Sequence, residues 1–167
     1  MHFPMFVELE GRPCLVVGGG KIGARKAAAL AAFGAKVRVV ERDFGDGDVE
    51  GVALAVAATD DREVNRRVAA LCKARGIPVN VVDDPANCTF IFPAIARKGP
   101  MTVAVSSGGA CPVAAKLVRD KARRLLEDDF VAEVERLGAR REELKENHPD
   151  PRERMRVCEE ALSKWNG

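Results

Sequence analysis

Apolar residues in the first half of the chain fall into short blocks separated by longer amphipathic stretches. "PCLVVGG" (13–19) is an apolar run ending in glycine, the pattern of a strand buried on both faces. "GARKAAALAAFGA" (23–35) is alanine-rich and predicts a helix closed by Gly34. "KVRVVE" (36–41) and "VALAVAAT" (52–59) predict a second and a third strand. "DREVNRRVAALCKARG" (61–76) predicts an amphipathic helix, with Val64, Val68 and Leu71 on one face and Gly76 at its end. "IPVNVVD" (77–83) predicts a fourth strand. Strands alternating with helices imply right-handed crossovers. The fold class is therefore α/β, a Rossmann-like parallel sheet with helices on both faces.

The pattern then changes. "CTFIFPAIARKGPMTVAVSS" (88–107) holds two strand-like runs joined at "RKGP", the sign of a hairpin or extended arm. From Pro112 the chain reads as helical and densely charged, with acidic and basic residues in balance. Phe130, Val134, Leu137 and Leu144 form one apolar stripe; Met155, Cys158, Leu162 and Trp165 form another. Between them "NHPDPRE" breaks the helix, and Asp150, Pro151 and Glu153 supply a cap, an N1 proline and an N3 carboxylate. Such narrow stripes pack either within the chain or against a second copy, and a homodimer is the expectation. The chain divides in this reading into residues 1–112, a sheet domain with a hairpin arm, and 113–167, a helical dimerisation or substrate-covering region.

Composition narrows the function. A chain of 167 residues with 47% hydrophobic and 31% charged residues reads as a globular protein with a real core. A net charge of +2 is too small to imply a nucleic-acid partner. No apolar run reaches membrane-spanning length, and the first residues lack the basic start and apolar core of a signal peptide. The expected location is the cytoplasm, with no membrane partner. The five cysteines (Cys14, Cys72, Cys88, Cys111, Cys158) are odd in number and scattered, which reads as reduced thiols. With His2 and His148 near opposite ends, no His/Cys metal site is expected.

The chemistry starts at "GGGKIG". Gly18-x-Gly20-x-x-Gly23 follows a predicted strand and opens a predicted helix. In this setting Gly18 permits the tight turn, Gly20 lets backbone approach a diphosphate, and Gly23 lets helix and strand pack closely. The N–H groups of Lys21 and Ile22 then face the diphosphate at the positive end of the helix. Glu41 ends the next strand, where a carboxylate accepts the adenine-ribose hydroxyls of NAD; Arg42 and Asp43 adjoin it. Glu41 disfavours a 2′-phosphate, although Arg42 could compensate. The cofactor expected is NAD.

Three further groups stand at predicted strand ends. Thr59, with Asp60 and Asp61, either lines the nicotinamide side of the crevice or caps the next helix, and capping is the job expected of the aspartates. Asp83 sits at the carboxyl edge of the sheet, where ligands of such folds bind. There it either accepts a proton or merely shapes a turn with Asp84 and Pro85. Ser106, Ser107, Gly108 and Gly109 precede a helix with Pro112 at N1 and form either an anion pocket of backbone amides or a flexible entry. Asn65 and Asn80 have no role at this level.

Three ordered blocks, GGGxxxxRK, AATDDxxxN and NVVDxxxxxxFIFPA…SSGG, are together similar to the siroheme-synthase dehydrogenase/ferrochelatase family. The resemblance runs from about Phe6 to Arg124. It implies a Rossmann domain followed by a dimerisation region, and NAD-dependent oxidation of the tetrapyrrole precorrin-2 to sirohydrochlorin. In some members ferrous iron is also inserted. It assigns the acid–base role to Asp83 and places Ser107 beside the tetrapyrrole. Three departures stand out. Only "ERDFGDGDVEG" occupies the place of a further strand and helix; Ala110 and Cys111 replace better capping residues; and the sequence ends at Gly167 without a methyltransferase segment, so that precorrin-2 would come from elsewhere. The rivals are an NAD-binding redox-sensing module without catalysis, and a chelatase lacking dehydrogenase activity.

Overall fold

The computed structural model describes residues 2–165, which form two compact units that divide between Phe92 and Pro93. In the first unit, strands β1 (Pro13–Val17), β2 (Lys36–Val40), β3 (Leu54–Ala57) and β4 (Val79–Val81) form one sheet in the order β2-β1-β3-β4. All three pairings are parallel, with Val16 opposite Val39 on one side and Val56 on the other. Helix α1 (Lys21–Ala31) and the pair Phe90 and Phe92 cover one face, packed on Cys14, Val16, Leu54 and Val56. Helix α2 (Arg62–Ala74) covers the other, where Val68, Ala69 and Cys72 meet Leu15, Val17, Ala57 and Val81. The alternation of these side chains explains why β1 and β3 read as unbroken apolar runs: both faces are dry. Burial pushes the Cys72 thiol up to about 11 and raises that of Cys14, so neither is a ready nucleophile.

The segment between Glu41 and Val52 adds no strand. It forms a 3-10 turn, Asp46–Val49, that drops Phe44 and Val49 into the α2-side core. Asp48 is buried there, 6% exposed, and its carboxylate draws in three donors. Arg42 Nη2 donates to Oδ1 at 2.7 Å, Arg38 Nη1 to Oδ1 at 2.8 Å, and the Gly45 N–H to Oδ2 at 2.9 Å. A carboxylate thus ties the edge strand β2 to a loop too short to hold a helix.

Two predicted strand ends move inward. β4 stops at Val81, so Asp83 lies in the turn after the strand and not at its last position. Residues 88–93 are not a strand: the edge of β4 is met by a backbone bond, the Thr89 N–H to the Val79 carbonyl at 2.8 Å, and by side chains. The Val79 N–H donates to Thr89 Oγ1 at 2.8 Å, and Asn80 Nδ2 donates to the Phe90 carbonyl at 3.0 Å.

In the second unit, β5 (Ala94–Lys98) and β6 (Met101–Val105) form an antiparallel hairpin through Gly99, whose φ of +52° suits glycine. Helix α3 (Pro112–Arg124) lies along the hairpin, burying Ala115 and sending Arg119 Nη1 to the Ile95 carbonyl. This packing groups the hairpin with the helices, so the division falls at residue 92 and not at the expected 112. Helices α4 (Asp128–Ala139), α5 (Arg141–Asn147) and α6 (Pro151–Ala161) follow, and Asp150 caps α6 through the Arg152 N–H at 2.9 Å. The two apolar stripes meet each other: the Phe130 and Trp165 rings stand edge to face, 5.4 Å apart. Packing within the chain thus engages Phe130 and Trp165, while Met155 of the second stripe stays exposed. Among the described residues no helix is long and apolar enough to cross a membrane.

Asp48 makes a measurable prediction. Arg42, then the Gly45 amide and Arg38, hold its carboxyl well below the usual carboxylate range. Its stabilisation is therefore complete above the unfolded-state pKa of about 4 and drains away as pH falls toward the lower folded value. Asp48→Asn should cost about 1–2 kcal/mol at pH 7, discounted because both guanidinium groups are half in water. In urea titrations the gap between the two proteins should narrow as pH falls below ~4. An equal gap at both ends would refute the account.

Candidate functional site

The carboxyl edge of the sheet gathers the candidate residues of the first unit. After β1, the Gly18 N–H donates to the Val40 carbonyl at 2.9 Å, and the chain turns with a Gly18 φ of +110°. A methyl group on Gly18 would overlap the Ala58 carbonyl, and one on Gly23 would overlap the carbonyl of Gly18. Glycine is required at both. Gly20 differs: a Cβ there meets nothing within 4 Å, so its missing side chain leaves open space above the loop. No side chain caps α1, and no acidic residue stands in its first turn. The N–H groups of Lys21 and Ile22 lie at a bare, positive helix end facing that space. The loop therefore fits a dinucleotide diphosphate.

Glu41 folds its carboxylate over Gly19, close enough that a Cβ on Gly19 would collide with it. Arg42 is turned away toward Asp48 and also donates to the Asp43 carbonyl at 2.7 Å. The Asp43 side chain is left exposed.

The β3–α2 loop is fixed by Asn65, a buried residue. Its Nδ2 donates to the Thr59 carbonyl at 2.9 Å, and its Oδ1 accepts the Thr59 N–H at 3.1 Å. Thr59 Oγ1 lies 2.8 Å from Asn65 Oδ1 and 2.9 Å from the Asp61 carbonyl, and donates to one of them. Asp61 caps α2, accepting the N–H groups of Glu63 and Val64 at 2.8 and 3.3 Å. Asp60 stays exposed at the rim of a cavity of about 430 Å³ that also touches Thr59, Asn65, Val82 and Asp83. Capping and lining are divided between the two aspartates.

Asp83 has a φ of +56°, the one non-glycine among the described residues with a positive value. Aspartate tolerates this conformation at some cost, and such strain collects at working sites. The turn is bonded through its neighbours: Asn87 Nδ2 donates to Asp84 Oδ2 at 2.8 Å, and Cys88 Sγ donates to the carbonyl of Val81 or of Asp84. Asp84 shapes the turn, while the Asp83 carboxylate is exposed and has no hydrogen-bond partner among the described residues. It borders both the first cavity and a second one of about 320 Å³ on the α1 side.

Ser106 to Gly109 belong to the second unit. Ser106 Oγ accepts the Gly108 N–H and Ser107 Oγ accepts the Cys111 N–H, each at 3.0 Å. Gly108 and Gly109 have φ values of +64° and +91°. Cys111 does cap α3, with its sulfur 3.4 Å from the Ala114 nitrogen, the long contact expected of a weak acceptor. Among the described residues no three His, Cys, Asp or Glu side chains cluster as a metal site.

A family model described as "Putative NAD(P)-binding" matches residues 5–94. The chain belongs to that NAD(P)-binding family, of the siroheme-synthase type. It is 43% identical to a siroheme synthase of Ectopseudomonas mendocina over 95% of its own length and 38% of that protein's. It is 45% identical to one of Pseudomonas paraeruginosa, over 90% of this chain and 37% of the other. The chain thus spans less than two fifths of the curated relatives it matches. Among solved structures, one titled "SirC, precorrin-2 dehydrogenase" superposes with a TM-score of 0.65 at 22% identity, covering 99% of both chains, and shares the fold. The family's NAD(P)-binding region coincides with the first unit, where the glycine loop lies.

Position 20 tests the loop. Gly20→Asp should fold, since its Cβ has room, yet lose NADH binding through the added charge and bulk. Gly23→Ala should instead lower stability, because its Cβ meets backbone. Fluorescence titration with NADH and thermal melts separate the two; unchanged NADH affinity in Gly20→Asp would refute the placement.

Proposed function

We propose that this chain oxidises precorrin-2 to sirohydrochlorin with NAD. The observation that carries the proposal is Asp83, an unpaired carboxylate in a strained turn at the carboxyl edge of the sheet, within the region that the NAD(P)-binding family model matches. The siroheme-synthase relatives and the precorrin-2 dehydrogenase of like fold support the choice of substrate.

The oxidation removes two hydrogens from the macrocycle, one as hydride and one as a proton. NAD supplies the hydride acceptor. Gly18, Gly20, Lys21, Ile22 and Gly23 hold its diphosphate, and Glu41 receives the ribose hydroxyls. Arg42 pairs with Asp48, so its guanidinium does not offset the repulsion of Glu41 for a 2′-phosphate. NAD is thereby preferred to NADP. Thr59, locked by Asn65, presents its loop to the nicotinamide end of the crevice. Asp83 accepts the proton as the hydride leaves, so the charge on carbon never builds up. Ser106, Ser107, Gly108 and Gly109 contact the carboxylate fringe of the tetrapyrrole. Ferrous iron insertion would enter with iron as a substrate and draw on the same acceptor for the pyrrole protons. The working form proposed is a cytoplasmic homodimer, supported by five free thiols and by exposed Val113, Leu117, Val118 and Leu125 on and beside α3.

Asp83→Asn keeps the tolerance for positive φ while removing the base. It should bind NADH as the wild type does and form sirohydrochlorin at least ~100-fold more slowly. Asp83→Gly should lose activity equally but melt higher, because glycine relieves the strain. Anaerobic turnover followed by sirohydrochlorin absorbance gives the rates. Full activity in Asp83→Asn would place the base elsewhere.

A further inference from the structure

The second cavity holds two cations that this mechanism leaves unused. Helix α1 contributes Arg25 and Lys26 to its wall, with Asn80, Cys88, Ile91 and Phe92 completing it beside Asp83. Lys26 Nζ sits 3.7 Å from the centroid of the Phe92 ring, on the negative face of the aromatic system. Burial, then the neighbouring Arg25 charge, lower the Lys26 pKa from the ordinary lysine value. Among the described residues neither cation has a carboxylate within ion-pairing distance. Two adjacent positive charges, one of them half-buried, stand there without an ion-pair partner, although Asp83 and Asp84 line the same cavity. Ile91, Val82 and Phe92 give the same cavity apolar surface. A ligand suited to it carries an apolar ring face and an anionic edge.

We propose that Arg25 and Lys26 bind a peripheral carboxylate of the tetrapyrrole in this cavity, and so decide which edge of the macrocycle meets Asp83. The inference rests on the function proposed above and deepens it. Asp83 is an anion and repels the substrate's own carboxylates; the cations draw them to α1. What remains for Asp83 is a carbon–hydrogen edge, the part that must lose a proton. The other anion at hand, the dinucleotide diphosphate, belongs at the start of α1. Lys26 lies five residues further on, beyond the first helical turn of about 3.6 residues.

The test is equilibrium binding of sirohydrochlorin, which needs no turnover, beside NADH titration of the same proteins. The double variant Arg25→Met, Lys26→Met keeps both aliphatic stems and should bind sirohydrochlorin at least about tenfold more weakly. Its affinity should depend less on salt, while NADH binding stays unchanged and reports an intact fold. Lys26→Arg should restore most of the affinity, and Arg25→Met alone, at an exposed position, should show part of the loss. Wild-type sirohydrochlorin affinity in the double variant would overturn this inference alone. Loss of NADH binding in Arg25→Met would assign the cations to the dinucleotide and overturn it too. A wild type that binds NADH but no sirohydrochlorin would overturn the functional reading itself, and this inference with it.

Discussion

The parallel register of β1, β3 and β4 is the constraint on which the site depends. Because the strands run the same way, their ladders end together, and three loops leave the sheet at one edge. The links across that edge are backbone bonds: the Ala58 N–H to the Val17 carbonyl at 2.8 Å, and the Val82 N–H to the Ala57 carbonyl at 2.9 Å. Each turn is therefore anchored one residue beyond its strand. The glycine loop, the Thr59 loop and the Asp83 turn are neighbours for that reason, although the sequence sets them some 20–40 residues apart. A shift of β4 by one residue would exchange its faces and move Asp83 away from the edge.

Much of this was legible in the chain. The apolar runs at β1 and β3 and the period of α2 carry the fold, because burial on two faces or on one leaves different patterns. The role of Asn65 was not legible. An asparagine in a helix is ambiguous until the carbonyl and the amide it bonds, six residues earlier, are brought back over it. Asp48 was hidden for a similar reason: in "FGDGDVEG" three acidic residues look alike, and only tertiary contact selects the one that Arg38 and Arg42 surround. Residues 88–93 misled because "CTFIFP" has a strand's alternation, yet Phe90 and Phe92 use it to cover α1's face of the sheet. Their periodicity recorded burial, not ladder pairing.

Arg42 shows how a local departure changes a specificity argument. Beside Glu41 in sequence, it could neutralise that carboxylate and admit a phosphate. The shortened loop places Asp48 within 2.7 Å of it, and the guanidinium's charge is spent there. In the proposed reading this pairing supports the preference attributed to Glu41.

The same logic separates the two aspartates of the β4 turn. A carboxylate that shapes a turn has an oxygen occupied by a donor of its own chain. Asp84 is in that position, with Asn87 on Oδ2. Asp83 is spared because Asp84, Asn87 and Cys88 hold the backbone for it, and the cost of its positive φ is met by those contacts. The Asp83 carboxylate is left open to solvent, where an arriving molecule can reach it. In the function proposed above, the strain and the missing partner point the same way, toward a proton that the substrate brings.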